Sequence, residues 1–460
     1  MAEELQYDAI VIGSGQGGGP FAGALAGAGR KTALIERSYV GGTCVNYGCT
    51  PTKTMVASAQ AAYIARRGAD YGVMTGPIRI DMEKVRERKR AIVELWRSSS
   101  LEATLNTKGL DYIHGDAQFT GPHAVEVTLD SGEQRSLIAG LIVIDTGLRP
   151  AMPPIEGLAA LEPLDSTSIM ELDSVPQRLL VLGGGYVGVE FGQMFRRFGS
   201  EVTIVDVASR LLGREDRDIA DAMVEILRED GIEILLDTKT LRAQHGARGG
   251  LELTVQTQSA ERTLSGSHIL AAAGRAPNTS GLHLEAAGVC VNEKGFIAVN
   301  DRLETNVPGI YAIGDVNGEA AFTHISYDDY RILKANLLEG GSRSTSDRPV
   351  PYTVFTDPQL GRVGLSEDQA RAEGRSIRVA SMPMRHVARA LEVDQSRGMM
   401  KVVIDAETDQ ILGCAILGID GGEVMSMIEI AMMGNLPASR LRDGVFSHPT
   451  LAEALNNLLS

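Results

Sequence analysis

A strand, a glycine-rich turn, a helix and a second strand ending at an acidic residue occur twice in this chain, and no other feature restricts its fold so tightly. The first copy starts with an apolar stretch from Tyr7 to Ile12. It continues through Gly13-x-Gly15-x-x-Gly18 and an alanine-rich helix reaching Gly29, and closes with a strand from Thr32 to Glu36. The second copy starts at Arg178–Leu182, passes through Gly183-x-Gly185-x-x-Gly188 and a helix to Phe198, and closes with a strand from Glu201 to Val205 followed by Asp206. Glu36 lies 23 residues after Gly13, and Asp206 lies 23 after Gly183. Glycines at this spacing allow a tight turn and bring a pyrophosphate close to the amides of a helix N-terminus, while the acid accepts hydrogen bonds from ribose hydroxyls. One fingerprint alone is a weak signal, but two matched copies predict two dinucleotide-binding folds. Pro20 is out of pattern, because it removes a backbone donor early in the first helix. Asp206 favours the free 2'-hydroxyl of NADH and repels the 2'-phosphate of NADPH; Arg210 is either a counter-charge to that phosphate or a solvated surface arginine.

At 460 residues the chain exceeds a single ordinary core and is expected to form about three domains or more. Its 43% hydrophobic and 22% charged residues are the balance of a globular protein. A net charge of -15 repels phosphate backbones and anionic lipid, which argues against nucleic-acid and membrane-surface roles. The acidic start, Met-Ala-Glu-Glu-Leu, lacks the positive charge of a signal peptide, and no run of about 18 apolar residues is present, so a cytoplasmic location is expected. Asp81 to Leu105 reads as a long charged helix. A strand-like stretch, Leu141 to Asp145, precedes Pro150, Pro153 and Pro154, which places a boundary near 148. Another strand, Ile310 to Ile313, ends in Gly314-Asp315, and a Gly/Ser-rich segment from 340 leads to Pro349 and Pro351, placing a boundary near 346.

Four cysteines cannot form a structural disulfide framework in a chain of this length, and in a reducing compartment a close pair points to catalysis or metal binding. Cys44 and Cys49 are that pair. Cys290 and Cys414 sit singly among apolar residues and are expected in the core. Residues five apart on a regular helix have Cα atoms roughly 8.6 Å apart, beyond the roughly 7 Å limit for a disulfide. Gly48 and Pro51 supply the break that makes a strained, reducible disulfide feasible. Two other readings stay open here: a metal site, although no His or Cys partner lies nearby, and two independent core thiols.

The segment Gly41-Gly-Thr-Cys44-Val-Asn-Tyr-Gly-Cys49-Thr-Pro-Thr-Lys53 resembles the active-site signature of the class I pyridine nucleotide-disulfide oxidoreductases, which include dihydrolipoamide dehydrogenase, glutathione reductase and mercuric reductase. The resemblance extends along the chain through Gly183 to Glu190, Ala273-Gly274-Arg275-x-Pro277-Asn278, Tyr311-Ala-Ile-Gly314-Asp315, Thr356-Asp357-Pro358 and His448-Pro449-Thr450-x-x-Glu453. It implies an α/β chain with an FAD-binding domain (1–147), an NAD(P)-binding domain (148–275), a central domain completing the FAD site (276–345) and a C-terminal α+β dimerisation domain (346–460). Cys49 is then the thiol facing the flavin and Cys44 the interchange thiol. Lys53 and Glu190 form the pair near the flavin, and His448 with Glu453 forms an acid/base dyad. Gly42, Thr43, Ala117, Thr146, Gly147, Gly314 and Asp315 join the first fingerprint in holding FAD, and Gly274 and Arg275 are further cofactor contacts. A homodimer with shared active sites follows from the same resemblance, with no resident metal.

Thr50-Pro-Thr-Lys-Thr54, Arg214-Glu-Asp-Arg-Asp218 and Phe322-Thr-His-Ile-Ser-Tyr-Asp-Asp-Tyr-Arg331 are similar to a branch of reactive-chlorine-resistance and mercuric-reductase-like flavoproteins. That branch implies a small disulfide or a soft metal ion, Cu(II) or Hg(II), as electron acceptor. The chain departs from typical mercuric reductases in having no paired cysteines near its C-terminus, and from dihydrolipoamide dehydrogenases in carrying Phe446-Ser447 before His448. An NADH oxidase or quinone reductase using flavin directly, a dihydrolipoamide dehydrogenase-like enzyme and a non-enzymatic redox sensor are the alternative expectations.

Overall fold

A computed structural model describes residues 4–247, 249–346 and 348–460. The chain packs as two compact units: Met1–Thr54 with Lys84–Ala151 and Arg275–Arg348, and Met55–Glu83 with Met152–Gly274 and Pro349–Ser460.

The first unit is built on β1 (Glu4–Ile12), β2 (Thr32–Glu36), β3 (Leu110–Gly121), β4 (Ala124–Leu129) and β5 (Gln134–Ile144). β1 runs parallel to both β2 and β5, β3 continues the parallel order beyond β2, and Ile310–Ala312 pairs in parallel with the end of β5. β4 lies antiparallel to β3 and β5. The end of β1 is a continuous apolar run because both faces of the sheet are covered. Ala9 and Val11 pack with Phe21 and Leu25 of α1 (Gly18–Gly27) and with Ile332 and Leu333 of the helix Thr323–Leu338. Ile10 and Ile12 face the opposite layer with Phe119, Val125 and Leu137. Pro20 is the third residue of α1, where an amide has no acceptor inside the helix, so the ring costs no hydrogen bond.

The second unit holds a parallel sheet in the order His268–Ala271, Arg178–Leu182, Glu201–Val205, Glu233–Leu235, with α5 (Tyr186–Phe198) following its second strand. An antiparallel sheet of Lys239–His245, Leu251–Gln256 and Glu261–Gly266 packs beside it. Its C-terminal part is a five-stranded antiparallel sheet backed by the helix Gly421–Met433. The predicted mixed α/β architecture, with two dinucleotide-binding sheets and a C-terminal α+β layer, is therefore the one observed.

The Arg214–Asp218 segment has a structural task within this unit. Glu215 and Asp216 are buried against Arg362 at 3.4 and 3.8 Å, and Lys401 lies 3.3 Å from Asp216 and 2.8 Å from Glu367. Burial alone would raise the pKa of Asp216, but the amides of Asp368 and Glu367 and the charges of Lys401 and Arg362 bring it below the ordinary carboxylate range. Cys414 is buried as expected, and burial pushes its thiol up to about 12, far from reactivity at neutral pH. Cys290 corrects the expectation of a core thiol: it is exposed, following the short helix Leu284–Ala287, with its amide bonded to Asn306 Oδ1. Val289 before it is buried, but both Cys290 and Val291 after it face solvent, so the apolar run Val289–Val291 enters the core only at its first residue. Among the described residues, no helix is long and apolar enough to cross a membrane.

Candidate active site

The two cysteines occupy different helices. α2 (Gly42–Asn46) ends before Tyr47, and α3 (Cys49–Arg66) begins at the second cysteine. The break falls at Tyr47-Gly48, where a Cβ on Gly48 would lie 2.9 Å from the Thr43 carbonyl. Pro51, expected to contribute to the break, instead sits in the first turn of α3, where proline is tolerated. Both cysteines are thiols in this structure, Cys44 half-buried and Cys49 exposed. A hydrogen bond with Cys49 and then burial raise the pKa of Cys44 well above its usual value, while the Thr323 hydroxyl acts in the opposite direction. Thr323 Oγ1 lies 3.4 Å from Cys49 Sγ and is the first residue of the helix Thr323–Leu338. The partial positive charge of that helix N-terminus favours a thiolate beside it.

α2 rests directly on the first glycine turn. Gly41 N donates to Ser14 O at 3.1 Å, Gln16 Nε2 donates to Gly41 O at 3.0 Å, and a Cβ on Gly42 would lie 2.7 Å from Gly15 Cα. Asn46 ties the helix down by donating to the Val40 and Gly42 carbonyls, and its Oδ1 accepts from Arg97 Nε at 2.8 Å. Neither Asn46 nor Arg97 is marked out by sequence pattern, although Asn46 stands inside the signature. Glu36 accepts from Ser14 N at 3.0 Å, Ser14 Oγ at 2.7 Å and Ser38 N at 2.9 Å, which fixes its carboxylate at the strand end.

The two fingerprints have the same stereochemistry. Gly13 and Gly183 have φ of +100° and +113°, and a Cβ on either would strike the carbonyl of the neighbouring strand, at Asp145 O and Ala272 O. A Cβ on Gly18 or Gly188 would meet the carbonyl of Gly13 or Gly183 at 2.3 or 1.9 Å, so α1 and α5 approach their strands as only glycine allows. Thr146 and Gly147 follow β5 and are locked to Asn278: Asn278 Nδ2 donates to Thr146 O, Thr146 Oγ1 to Asn278 O, and Asn278 N to Gly147 O. Gly314 and Asp315 form the turn after Ile310–Ala312, and Ala117 lies on β3. Asp315 is held above its ordinary pKa by burial, eased by Arg275 and reinforced by charge on Cys49. Arg275 lies in the first unit, donating to Leu148 O at 3.0 Å, whereas Gly274 belongs to the second. Lys53 stands one turn beyond Cys49 on α3.

Two acids joined this site without being singled out by the sequence. Asp145 accepts the Gly18 amide at 2.7 Å, and Asp329 accepts the Gly314 amide at 2.8 Å and pairs with Arg348. No local pattern flags either, because each partner lies elsewhere in the chain.

In the second unit Asp206 accepts from Gly184 N and, at 2.8 Å, from Ala208 N. Arg210 is 3.7 Å from Asp368, an exposed pairing directed at another acid. Glu190 is buried on α5 and accepts from Phe355 N at 2.7 Å. His448 Nδ1 is 2.8 Å from Glu453 Oε2, which leaves the solvent-exposed side of the ring available for proton transfer. Among the described residues, no group of three or more His, Cys, Asp or Glu is arranged to hold a metal ion.

Two glycine cradles shaped for dinucleotides, with a dithiol seated on one of them, define a flavin-linked dithiol oxidoreductase dependent on a pyridine nucleotide. The chain belongs to the pyridine nucleotide-disulphide oxidoreductase family: residues 7–329 match the family model and residues 350–459 match the dimerisation domain. It is 40% identical over 459 residues to the probable pyridine nucleotide-disulfide oxidoreductase RclA of Escherichia coli, covering 99% of both chains. It is 33% identical to a mercuric reductase of Staphylococcus aureus, covering 98% of this chain and 81% of that protein. The solved Cu(II) complex of the HOCl-induced flavoprotein disulfide reductase RclA from Escherichia coli superposes with a TM-score of 0.89 at 39% identity, covering 99% of each chain. The protein is accordingly an enzyme of the flavoprotein disulfide reductase class, using FAD and a pyridine nucleotide.

Proposed function

We propose that this enzyme takes electrons from NADH and passes them through the Cys44/Cys49 pair to a small disulfide or to a soft metal ion such as Cu(II) or Hg(II). The observation that carries this reading is the seating of two hydrogen-bonded thiols on the first glycine cradle, beside the N-terminus of the helix Thr323–Leu338. FAD, when bound there, supplies the relay between hydride donor and dithiol. Cys49 is assigned the flavin side by the resemblance of its segment to the family signature, and the action of its charge on Asp315 of the cradle is in keeping with that assignment. Cys44 is assigned the attack on the acceptor, with His448, oriented by Glu453, as its base. Lys53 and Glu190 are assigned to the flavin-side ion pair. One NADH and one proton reduce a disulfide to two thiols; one NADH reduces two Cu(II) to Cu(I), or one Hg(II) to Hg(0), releasing a proton. Support for metal acceptors comes from the softness of thiolate ligands and from the mercuric reductase and Cu(II)-bound relatives.

The domain assignment, FAD (1–147), NAD (148–275), central (276–345) and dimerisation (346–460), is part of this reading, as is a homodimer in which His448 serves the partner's Cys44. Met427, Ile430 and Met433 are exposed along one face of the helix Gly421–Met433, an apolar stripe suited to a second copy. A steady-state screen of NADH oxidation with small disulfides, Cu(II), Hg(II), quinones and oxygen tests the acceptor. Turnover with a disulfide or a metal ion above that with quinone or oxygen is expected, and the reverse ranking would overturn the dithiol route.

NADH is expected to outperform NADPH. Asp206 is fixed by two amides, and Arg210 is paired with Asp368. A carboxylate a few ångströms from an added phosphate costs on the order of 1–4 kcal/mol at an effective dielectric of about 20–80, so at least about a fivefold preference in kcat/KM is expected. Asp206→Ala narrows it, and an NADPH preference in the wild type contradicts the assignment.

A further inference from the structure

Asp145 closes β5 between the two turns that form the first cradle. Its Oδ2 accepts the Gly18 amide at 2.7 Å, and a Cβ on Gly15 would lie 2.6 Å from the same oxygen. A Cβ on Gly314 would lie 2.6 Å from its Oδ1 and 2.7 Å from Ser326 Oγ. The carboxyl group therefore fills the space beneath both glycine turns, with one oxygen toward each. This is the loop that a diphosphate must approach, and its glycines leave no room for any side chain of their own.

The groups facing Asp145 from the surrounding elements are acidic. Glu36 comes from the end of β2, Asp315 from the turn after Ile310–Ala312, and Asp329 from the helix Thr323–Leu338. The cations in the neighbourhood serve other acids: Arg348 pairs with Asp329 and Arg275 acts on Asp315. Burial holds the Asp145 carboxyl well above its usual range; the Gly18 amide opposes this, and the three carboxylates reinforce it. An ionised Asp145 would place a second negative charge against the cofactor's diphosphate in a site shielded from water.

We propose that Asp145 is a positioning residue that stands in the FAD complex as a neutral carboxylic acid, so that retention of FAD at the first glycine loop is linked to one bound proton. The proposal goes beyond the choice of acceptor and rests only on FAD occupying the first unit. The sign follows from the charge: as pH rises and Asp145 ionises in the complex, repulsion grows and FAD leaves faster.

The holoenzyme supplies the test, with release of FAD followed by recovery of flavin fluorescence after dilution across neutral to alkaline pH. The wild-type rate is expected to rise by up to about tenfold per pH unit once Asp145 titrates, the slope for one proton. Asp145→Asn, neutral at every pH and close in shape, is expected to flatten that rise. Infrared spectra of the wild-type holoenzyme should show the carbonyl stretch of a protonated carboxylic acid, absent from Asp145→Asn. A flat wild-type profile overturns the proposal even if the Asn variant fails to fold, and so does a rise that persists unchanged in the variant. Purification of the protein without any FAD removes the premise together with the proposal, a result distinct from pH-independent release.

Discussion

Anaerobic addition of NADH is expected to produce a long-wavelength absorbance band that Cys49→Ser abolishes and Cys44→Ser keeps. The band requires an electron-rich thiolate against the oxidised flavin; Thr323 at the helix N-terminus acts on both thiols, and Cys49 is the one whose charge also acts on Asp315. Replacing Cys44 removes the partner with which Cys49 forms a disulfide. The remaining thiolate is then expected to show the band even before NADH is added. Turnover with disulfides or metal ions should fall by several orders of magnitude in Cys44→Ser, because the group that attacks the acceptor is gone while flavin reduction is intact. A band that survives in Cys49→Ser reverses the assignment of the two thiols. Full turnover in Cys44→Ser shows instead that electrons leave from the flavin without passing through the pair.

Much of this fold was legible because the signals that specify it are local. Both βαβ units follow from glycine spacing, and Arg178–Leu182 and Glu201–Val205 fall where the apolar runs place them. β1 starts three residues before the apolar run at Tyr7, since its first residues pair with Ser136 and Leu137 of β5, which no local pattern foretells. The interruption between Cys44 and Cys49 was also readable, and it falls at Gly48 as expected; the share given to Pro51 was not correct, because proline early in a helix and proline within one look alike in a one-dimensional string. Cys290 was misread for a related reason: apolar neighbours on both sides describe a core segment, yet Val291 is itself exposed, and a short apolar run does not reveal where it leaves the core.

What the sequence concealed is the long-range part of the site. Asp145 and Gly18 are 127 residues apart, and their hydrogen bond exists only once β1 and β5 are paired. Arg275 reads as the end of the second dinucleotide fold, yet its guanidinium serves Leu148 and Asp315 of the first unit. The Arg214–Asp218 segment, one of the stretches that carried the branch resemblance, holds a buried ion network with Arg362 and Lys401. Removing one partner from such a buried network typically costs about 3–5 kcal/mol. A motif shared along a branch can therefore record stability as well as chemistry.

Mixing Cys44→Ser with His448→Ala under conditions of subunit exchange is expected to restore activity that neither variant has alone. Cys44 needs a base, because its hydrogen bond with Cys49 and its burial hold the proton on the thiol. The His448–Glu453 pair is built to supply one: Glu453 engages Nδ1, and the side chain remains largely exposed. The dyad lies on the domain that matches the family's dimerisation model, on the same domain as the exposed stripe of Met427, Ile430 and Met433. In the proposed homodimer, a copy docked through that domain would bring its own His448 to the opposite dithiol, and a twofold axis would make the exchange reciprocal. Loss of this base costs roughly 10²–10⁴-fold in the proton-transfer step, so each parent is nearly silent with a disulfide. In a mixed dimer, one of the two sites has both its thiols and its base, giving up to half the wild-type activity. His448→Ala is meanwhile expected to leave flavin reduction by NADH unchanged, since hydride arrives from the nicotinamide without that base. If exchange is demonstrated and activity stays at the parental level, or if the active enzyme sediments as a monomer, then His448 serves a thiol of its own chain or none at all.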